Sequence, residues 1–178
     1  MDSSKSHFIW KKGNPAARNA FAFFQRKIVL DSLPDKAEIG LFAANLYRLN
    51  VNGEIVGYGP LRFAPNRPDY DVHDLLPWLR EGENAIEVLV HNEGARNFQH
   101  MPATAGFWAC GTVGSEGLET PGAWRASASS AWDPEAEAFS FAQGPLEILD
   151  LSRLKERNWH APVRLEEPPT SQPAGERA

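Results

Sequence analysis

Leu49-Asn50-Val51-Asn52-Gly53-Glu54-Ile55-Val56-Gly57-Tyr58-Gly59-Pro60-Leu61-Arg62 is the stretch whose reading decides the fold. Asn52-Gly53 sits between two alternating apolar runs, 47–51 and 54–58, and predicts a two-residue β-hairpin. A type I′ turn needs positive φ at both central residues. Asn tolerates that region, and Gly enters it without steric cost. Outward from the hairpin, Gly59-Pro60-Leu61-Arg62 leads into a polar loop, 60–68, with three prolines and two arginines. A loop stiffened in this way suits contacts better than strand pairing. Tyr70-Asp71-Val72 resumes an extended pattern. A single helical turn is expected at 74–79, with Asp74 as its cap and Pro77 early in it. Glu81-Gly82-Glu83-Asn84 is a turn, and Ala85-Ile86-Glu87-Val88-Leu89-Val90 is a strand.

The flanks add further short strands. Residues 21–30 place Phe24, Ile28 and Leu30 on one face and Phe21, Phe23 and Val29 on the other. That suits a strand with one side in a sandwich core and the other partly covered by loops. In 37–43, Ala37, Ile39, Leu41 and Ala43 alternate with Glu38, Gly40 and Phe42. Strands are also expected at 106–113, 124–127 and 146–150, with a Gly-rich turn at 114–117. Residues 129–145 read as irregular and acidic, with Trp132 and Phe139 as anchors. No window sustains helical apolar spacing over several turns. The expectation is an all-β sandwich of one domain, 10–165, preceded by a tail, 1–9, and followed by a disordered tail or linker, 166–178.

Composition narrows the function. Ten Phe, six Trp and three Tyr can fill a sizeable core in 178 residues. A net charge of −5 without a Lys/Arg cluster argues against nucleic acid as a partner. Cys110 is the single cysteine, so no intrachain disulfide and no Cys-based zinc site are expected; its apolar surroundings suggest a buried thiol. Residues 1–7 have no apolar core of signal-peptide length, and no run is long enough to span a membrane, which leads to the expectation of a cytoplasmic protein.

The order of these parts resembles the amino-terminal β-sandwich domain of bacterial α-L-rhamnosidases. The resemblance is carried by Leu49-Asn50-Val51-Asn52-Gly53, by Val56-Gly57-Tyr58-Gly59-Pro60-Leu61-Arg62, by Tyr70-Asp71-Val72 and Asp74-Leu75-Leu76, and by 82–90. A weaker likeness runs from Trp10 to about Trp159. The Asn-Gly hairpin and the Gly-x-Asn-x-Ile-x-Val strand also occur in sugar-binding domains of β-galactosidase-like enzymes. The resemblance therefore implies a galactose-binding-like jelly-roll β-sandwich. It also implies that hydrolysis belongs to a helical barrel absent from this chain. A glycosidase needs two carboxyl groups held across the scissile bond. The 23 carboxylates here are scattered over loops and strand faces, and Glu81 and Glu83 read as solvated turn residues.

The expected role is that of a non-catalytic accessory or carbohydrate-binding domain of an α-L-rhamnosidase-like glycoside hydrolase. A stand-alone carbohydrate-binding module and a docking domain for a separate catalytic helical-barrel chain are the alternatives. Sugar faces stack on aromatic rings, and their hydroxyls are read by Asp, Asn, Arg and His. Tyr58 and Arg62 border one loop; His91, Asn92, Arg96 and His100 border another, near Phe98 and Trp108. If the strands ending at Tyr58 and Val90 run the same way, the two loops meet at one edge. The candidate carbohydrate site is thus Tyr58, Arg62, His91, Asn92, Arg96 and Trp108, for a rhamnoside or galactoside type of ligand. Taken singly, Tyr58 and Trp108 read more readily as core, and the Arg residues as plain surface. Arg62 could instead anchor a neighbouring domain through a carboxylate. No cofactor is expected, and no metal: His91 and His100 lack a specific ligand spacing, and no Asp-rich loop singles out a calcium site.

Overall fold

A computed structural model describes residues 4–61, 69–95, 98, 103–166 and 169. The strands are β1 Ile9–Trp10, β2 Ala20–Leu30, β3 Ala37–Ala43, β4 Leu46–Val51, β5 Glu54–Gly59, β6 Asp71–Asp74, β7 Gly82–Asn92, β8 Phe107–Val113, β9 Glu116–Gly117, β10 Arg125–Ala128 and β11 Val163–Arg164. They form two antiparallel sheets. One runs β11-β1-β8-β3-β6, with β9 beside β8; the other runs β10-β2-β7-β4-β5. The protein is an all-β, jelly-roll-type sandwich.

Period-two alternation fills the space between the sheets. Ala22, Phe24 and Ile28 from β2, Leu49 and Val51 from β4, and Ile86, Val88 and Val90 from β7 point inward. They meet Ile39, Leu41, Phe107 and Ala109 of the opposite sheet. Burial of such side chains stabilises by about 1.5–3 kcal/mol each, before the entropy of ordering them is counted.

Both motif-bearing ends of the central hairpin have structural explanations. Asn52 and Gly53 take φ of 53° and 92°, as a type I′ turn requires. Asn52 Nδ2 also donates to Trp78 O (2.9 Å) and to Asn84 Oδ1 (2.8 Å), while Ala85 N–H donates to Asn52 Oδ1 (3.0 Å). Asn84 in turn closes the 80–84 turn through Arg80 N–H (2.9 Å) and Arg80 O (2.7 Å). The Asn of Asn-Gly and the Asn of Gly-x-Asn-x-Ile are therefore partners across two strands. At the other end, β5 crosses close over β6. A Cβ on Gly57 would lie 2.7 Å from His73 Cε1, and one on Gly59 would overlap Asp71 and Tyr47. Only glycine lets the two sheets approach there.

Several elements depart from the sequence reading. The turn at 74–79 is a 3-10 turn, Leu76–Trp78, with Leu76 N–H donating to Asp74 Oδ1 at 3.0 Å. The turn at 114–117 folds back as β9 onto β8. Residues 146–150 join neither sheet. They return along 131–138: Trp132 bridges Leu149, Ala138 bridges Pro145, and Leu146 N–H donates to Glu137 O at 2.9 Å. Residues 131–150 are thus a hairpin-like excursion across the outer face of the five-stranded sheet. Trp132 anchors it, packed with Phe21 and Phe23. Phe139 does not anchor it; it is exposed at the tip. Of the expected tail, 166–178, residues 167–168 and 170–178 lie outside the described residues.

Candidate functional site

β5 and β7 both pair antiparallel with β4, so they run in the same direction. Tyr47 of β4 lies opposite Gly59 on one side and Val90 on the other. The segments after Gly59 and after Asn92 therefore leave from the same edge of the sheet. At that edge, on the outer face, lies an open groove of about 480 Å³. Its floor is Leu46, Arg48, Leu89 and His91; Tyr58, Pro60 and Leu61 make one wall, and Trp132, Glu147, Leu149 and Leu154 make the other.

Alternation places these groups. Arg48 and Tyr58 are opposite each other in the β4–β5 register, one step out of phase with the core residue Leu49. Tyr58 is 67% exposed, so one ring face meets water. Arg48 Nε donates to Asn50 Oδ1 at 3.1 Å, and the side chain makes no other hydrogen bond among the described residues. Its terminal N–H groups are free to donate. Glu147 Oε2 accepts from Trp132 Nε1 at 3.3 Å, which leaves lone pairs toward the groove. His91 is buried and held flat: it stacks on Phe21 at 4.0 Å and 7°, and its Nε2 is 2.8 Å from Asn19 Oδ1. Phe21 also stacks on Trp132 at 4.2 Å and 9°, which fixes the excursion against the sheet.

Beneath the wall, Tyr47 Oη donates to Asp71 Oδ2 at 2.6 Å and lies 2.8 Å from His73 Nε2. One phenolic proton serves one acceptor, so His73 presents Nε2–H to the Tyr47 oxygen. Burial, and then the carboxylate of Asp71, push the Tyr47 phenol far up. Burial pulls His73 below its ordinary value, against the opposing charge of Asp71. This trio joins β4, β6 and the Gly59 crossing.

The six sequence candidates separate. Tyr58 and His91 line the groove together. Asn92 is at the same edge but buried, with Nδ2 donating to Ala17 O at 3.0 Å beneath the first loop. Trp108 belongs to the other sheet. In β8 it alternates with the core residues Phe107 and Ala109, so it packs on the far outer face with Phe42 and Cys110, 9% exposed. The floor expected from Trp108 is therefore not part of this edge. Arg62, Arg96 and His100 lie outside the described residues. Among the described residues no group of three or more His, Cys, Asp or Glu could hold a metal ion. Arg48 was not legible beside Tyr58, because spacing from the Asn-Gly turn sets Tyr47 opposite Tyr58, and only the register shift between Leu49 and Asn50 brings Arg48 there. Nor were Glu147 and Trp132, because they reach the groove only through the course of the excursion.

No family model matches the sequence, and no curated protein matches it significantly. Solved structures do. The GH78 family rhamnosidase of Bacillus sp. GL1 superposes with a TM-score of 0.82 and 27% identity over 93% of this chain and 19% of that one. The native α-L-rhamnosidase from Aspergillus terreus gives 0.65 and 20% over 93% and 22%. The lectin from Pleurotus ostreatus in complex with GalNAc gives 0.55 and 20% over 93% and 43%. The fold is a β-sandwich shared by rhamnosidases and a lectin. Within that class, the likeness is to the β-sandwich domain of α-L-rhamnosidases, as the sequence motifs indicated. The chain spans about a fifth of the length of the Bacillus and Aspergillus rhamnosidases. Among the described residues no helix is long and apolar enough to cross a membrane.

Proposed function

We propose that this chain is a non-catalytic, carbohydrate-binding accessory domain of a rhamnosidase-type glycoside hydrolase, and that the groove beside Tyr58 is where a sugar is held. The observation that carries the reading is the pairing of an exposed ring, Tyr58, with the adjacent Arg48 and, across the groove, Glu147. The ring offers a π-face to sugar C–H groups. Arg48 donates to hydroxyls, and Glu147 accepts from them. A neutral glycan suits a groove that, among the described residues, carries one cation and one carboxylate. The likeness to rhamnosidases and to a lectin crystallised with GalNAc supports a rhamnoside or galactoside type of ligand.

Catalysis is assigned elsewhere. Inverting or retaining hydrolysis needs two carboxyl groups facing across a bond, and among the described residues Glu147 is the one carboxylate lining this groove. Calorimetric titration of the chain with methyl α-L-rhamnoside, galactose and GalNAc tests the proposal. Saturable binding of at least one of them is expected, with no release of nitrophenol from an aryl α-L-rhamnoside. No heat with any sugar at millimolar concentration would remove the carbohydrate role. Hydrolysis that is lost on Glu147→Gln would make the chain an enzyme.

A further inference from the structure

The excursion 131–150 has a buried base and an exposed tip. Trp132 is in the cluster with Phe21 and Phe23, whereas Phe139 and Phe141 are 79% and 80% exposed. Phe98, 72% exposed, meets Phe141 edge-on with ring centroids 5.2 Å apart. A single exposed apolar side chain is ordinary. A paired set of exposed rings, Phe98 with Phe141, and a third exposed ring two residues away at Phe139, mark an interaction surface. The tip is also formed rather than loose. Gln143 N–H donates to Ser140 O (3.2 Å), and Ala142 N–H donates to Ser140 Oγ (3.2 Å). A preformed turn loses less freedom on contact than an unstructured one.

Charge identifies what would cover it. Between Arg125 and Arg153 the sequence has five carboxylates and no Lys or Arg. Asp150 pairs with Arg153 at 3.4 Å. Asp133, Glu135, Glu137 and Glu147 form no ion pair among the described residues. Besides Arg153, Arg18 reaches the excursion among the described residues, and its Nη2 donates to the backbone O of Ala136 at 3.5 Å and not to a carboxylate. Among the described residues, the charges nearest the tip in the excursion are thus the carboxylates of Glu135 and Glu137.

Charge disfavours two occupants, and composition a third. A second copy placing the same tip against this one would oppose carboxylate to carboxylate. An anionic lipid surface would be repelled. Residues 170–178 of this chain contain no large apolar side chain to lay on the rings. We propose that the tip Phe139–Phe141, with Phe98, docks onto a protein surface whose apolar face is rimmed by Lys and Arg. The Bacillus rhamnosidase, in which the matching part is a fifth of the chain, shows a unit of this fold among other parts of a larger protein. The inference does not depend on the sugar groove, which opens toward Tyr58 at the base of the excursion.

The test uses two synthetic amphipathic helices as probes, one with Leu on one face and Lys on the other, one with Leu and Glu. The Leu/Lys probe is expected to bind the chain, to shift the amide resonances of 138–143, and to weaken at least tenfold in Phe139→Ser/Phe141→Ser. It is also expected to weaken with added salt. The Leu/Glu probe is expected not to bind. A second variant, Glu135→Lys/Glu137→Lys, keeps the rings and is expected to reverse the preference between the probes, which reads the surface even if the serine variant folds poorly. Undiminished binding of Leu/Lys to the serine variant, or equal binding of both probes to the wild type, would overturn the proposal. So would a concentration-dependent dimer in sedimentation that the serine variant abolishes, because the occupant would then be a second copy.

Discussion

On the outer face of the six-stranded sheet, Trp108 packs with Phe42 and Cys110, and Tyr70 meets its ring at 5.2 Å. On the outer face of the five-stranded sheet, the equally aromatic Tyr58 stands in water beside Arg48. The first face is covered by its own large side chains, with Phe8 folded over Phe42 at 5.6 Å. The second is covered only in part. The excursion lies over Phe21 and Phe23 and stops short of β4 and β5. The contrast teaches that an aromatic residue in a β-sandwich of this kind is informative only once its face and its cover are known. As stacking candidates Trp108 and Tyr58 read alike in sequence, yet one supports a sheet and the other is open to solvent.

The largest expected effect is on the closed face. Trp108→Ala removes a buried indole and should cost about 3–5 kcal/mol in denaturant unfolding, with ligand binding unchanged in the protein that remains folded. A cost below about 1 kcal/mol would mean that the face is not closed. Next comes the seam between the sheets. Gly59→Val forces side-chain atoms into Asp71 and Tyr47 and should cost about 1–3 kcal/mol, because this crossing has no slack. At the opposite end of the hairpin, Gly53→Val places a β-branched residue at φ of 92° and should also cost about 1–3 kcal/mol. The Gly53 substitution has open space around it, so its cost is backbone strain alone. Equal melting of Gly53→Val and wild type would contradict the turn geometry.

A smaller effect concerns pH. His73 is neutral in the fold at a pH where the unfolded chain already binds a proton, because burial lowers its folded value. The unfolded state therefore takes up more protons, and stability should fall as pH drops below about 6.5. His73→Gln keeps a donor toward Tyr47 and removes the titration, so its stability should be flatter across that range. An identical pH profile for variant and wild type would show that the seam does not sense pH through His73.

Much of the fold was legible because period-two alternation and Asn-Gly chemistry are local. Phe24 against Phe23, and Leu49 against Arg48, declare their faces from spacing alone. What the sequence could not show was the pairing of distant motifs. Nothing local says that Asn52 meets Asn84, or that the glycines of Gly-Tyr-Gly exist to admit His73 and Asp71. The run 146–150 alternates like a strand, but its partner is the excursion's own first half, so it leaves the sheets. That same topology carries Glu147 to the groove and Phe139 out into solvent. The shared direction of β5 and β7 depended on β4 lying between them, which strand order settles and spacing does not.

The groove itself is tested most directly by Tyr58→Ala, titrated with whichever of the rhamnoside, galactose or GalNAc ligands the wild-type chain binds. Tyr58 is exposed, so the melting temperature should stay within about 1–2 °C, while loss of the stacking face should weaken binding by about 1–3 kcal/mol. Unchanged affinity in a fully folded Tyr58→Ala chain would place the sugar elsewhere on the sandwich and contradict the account.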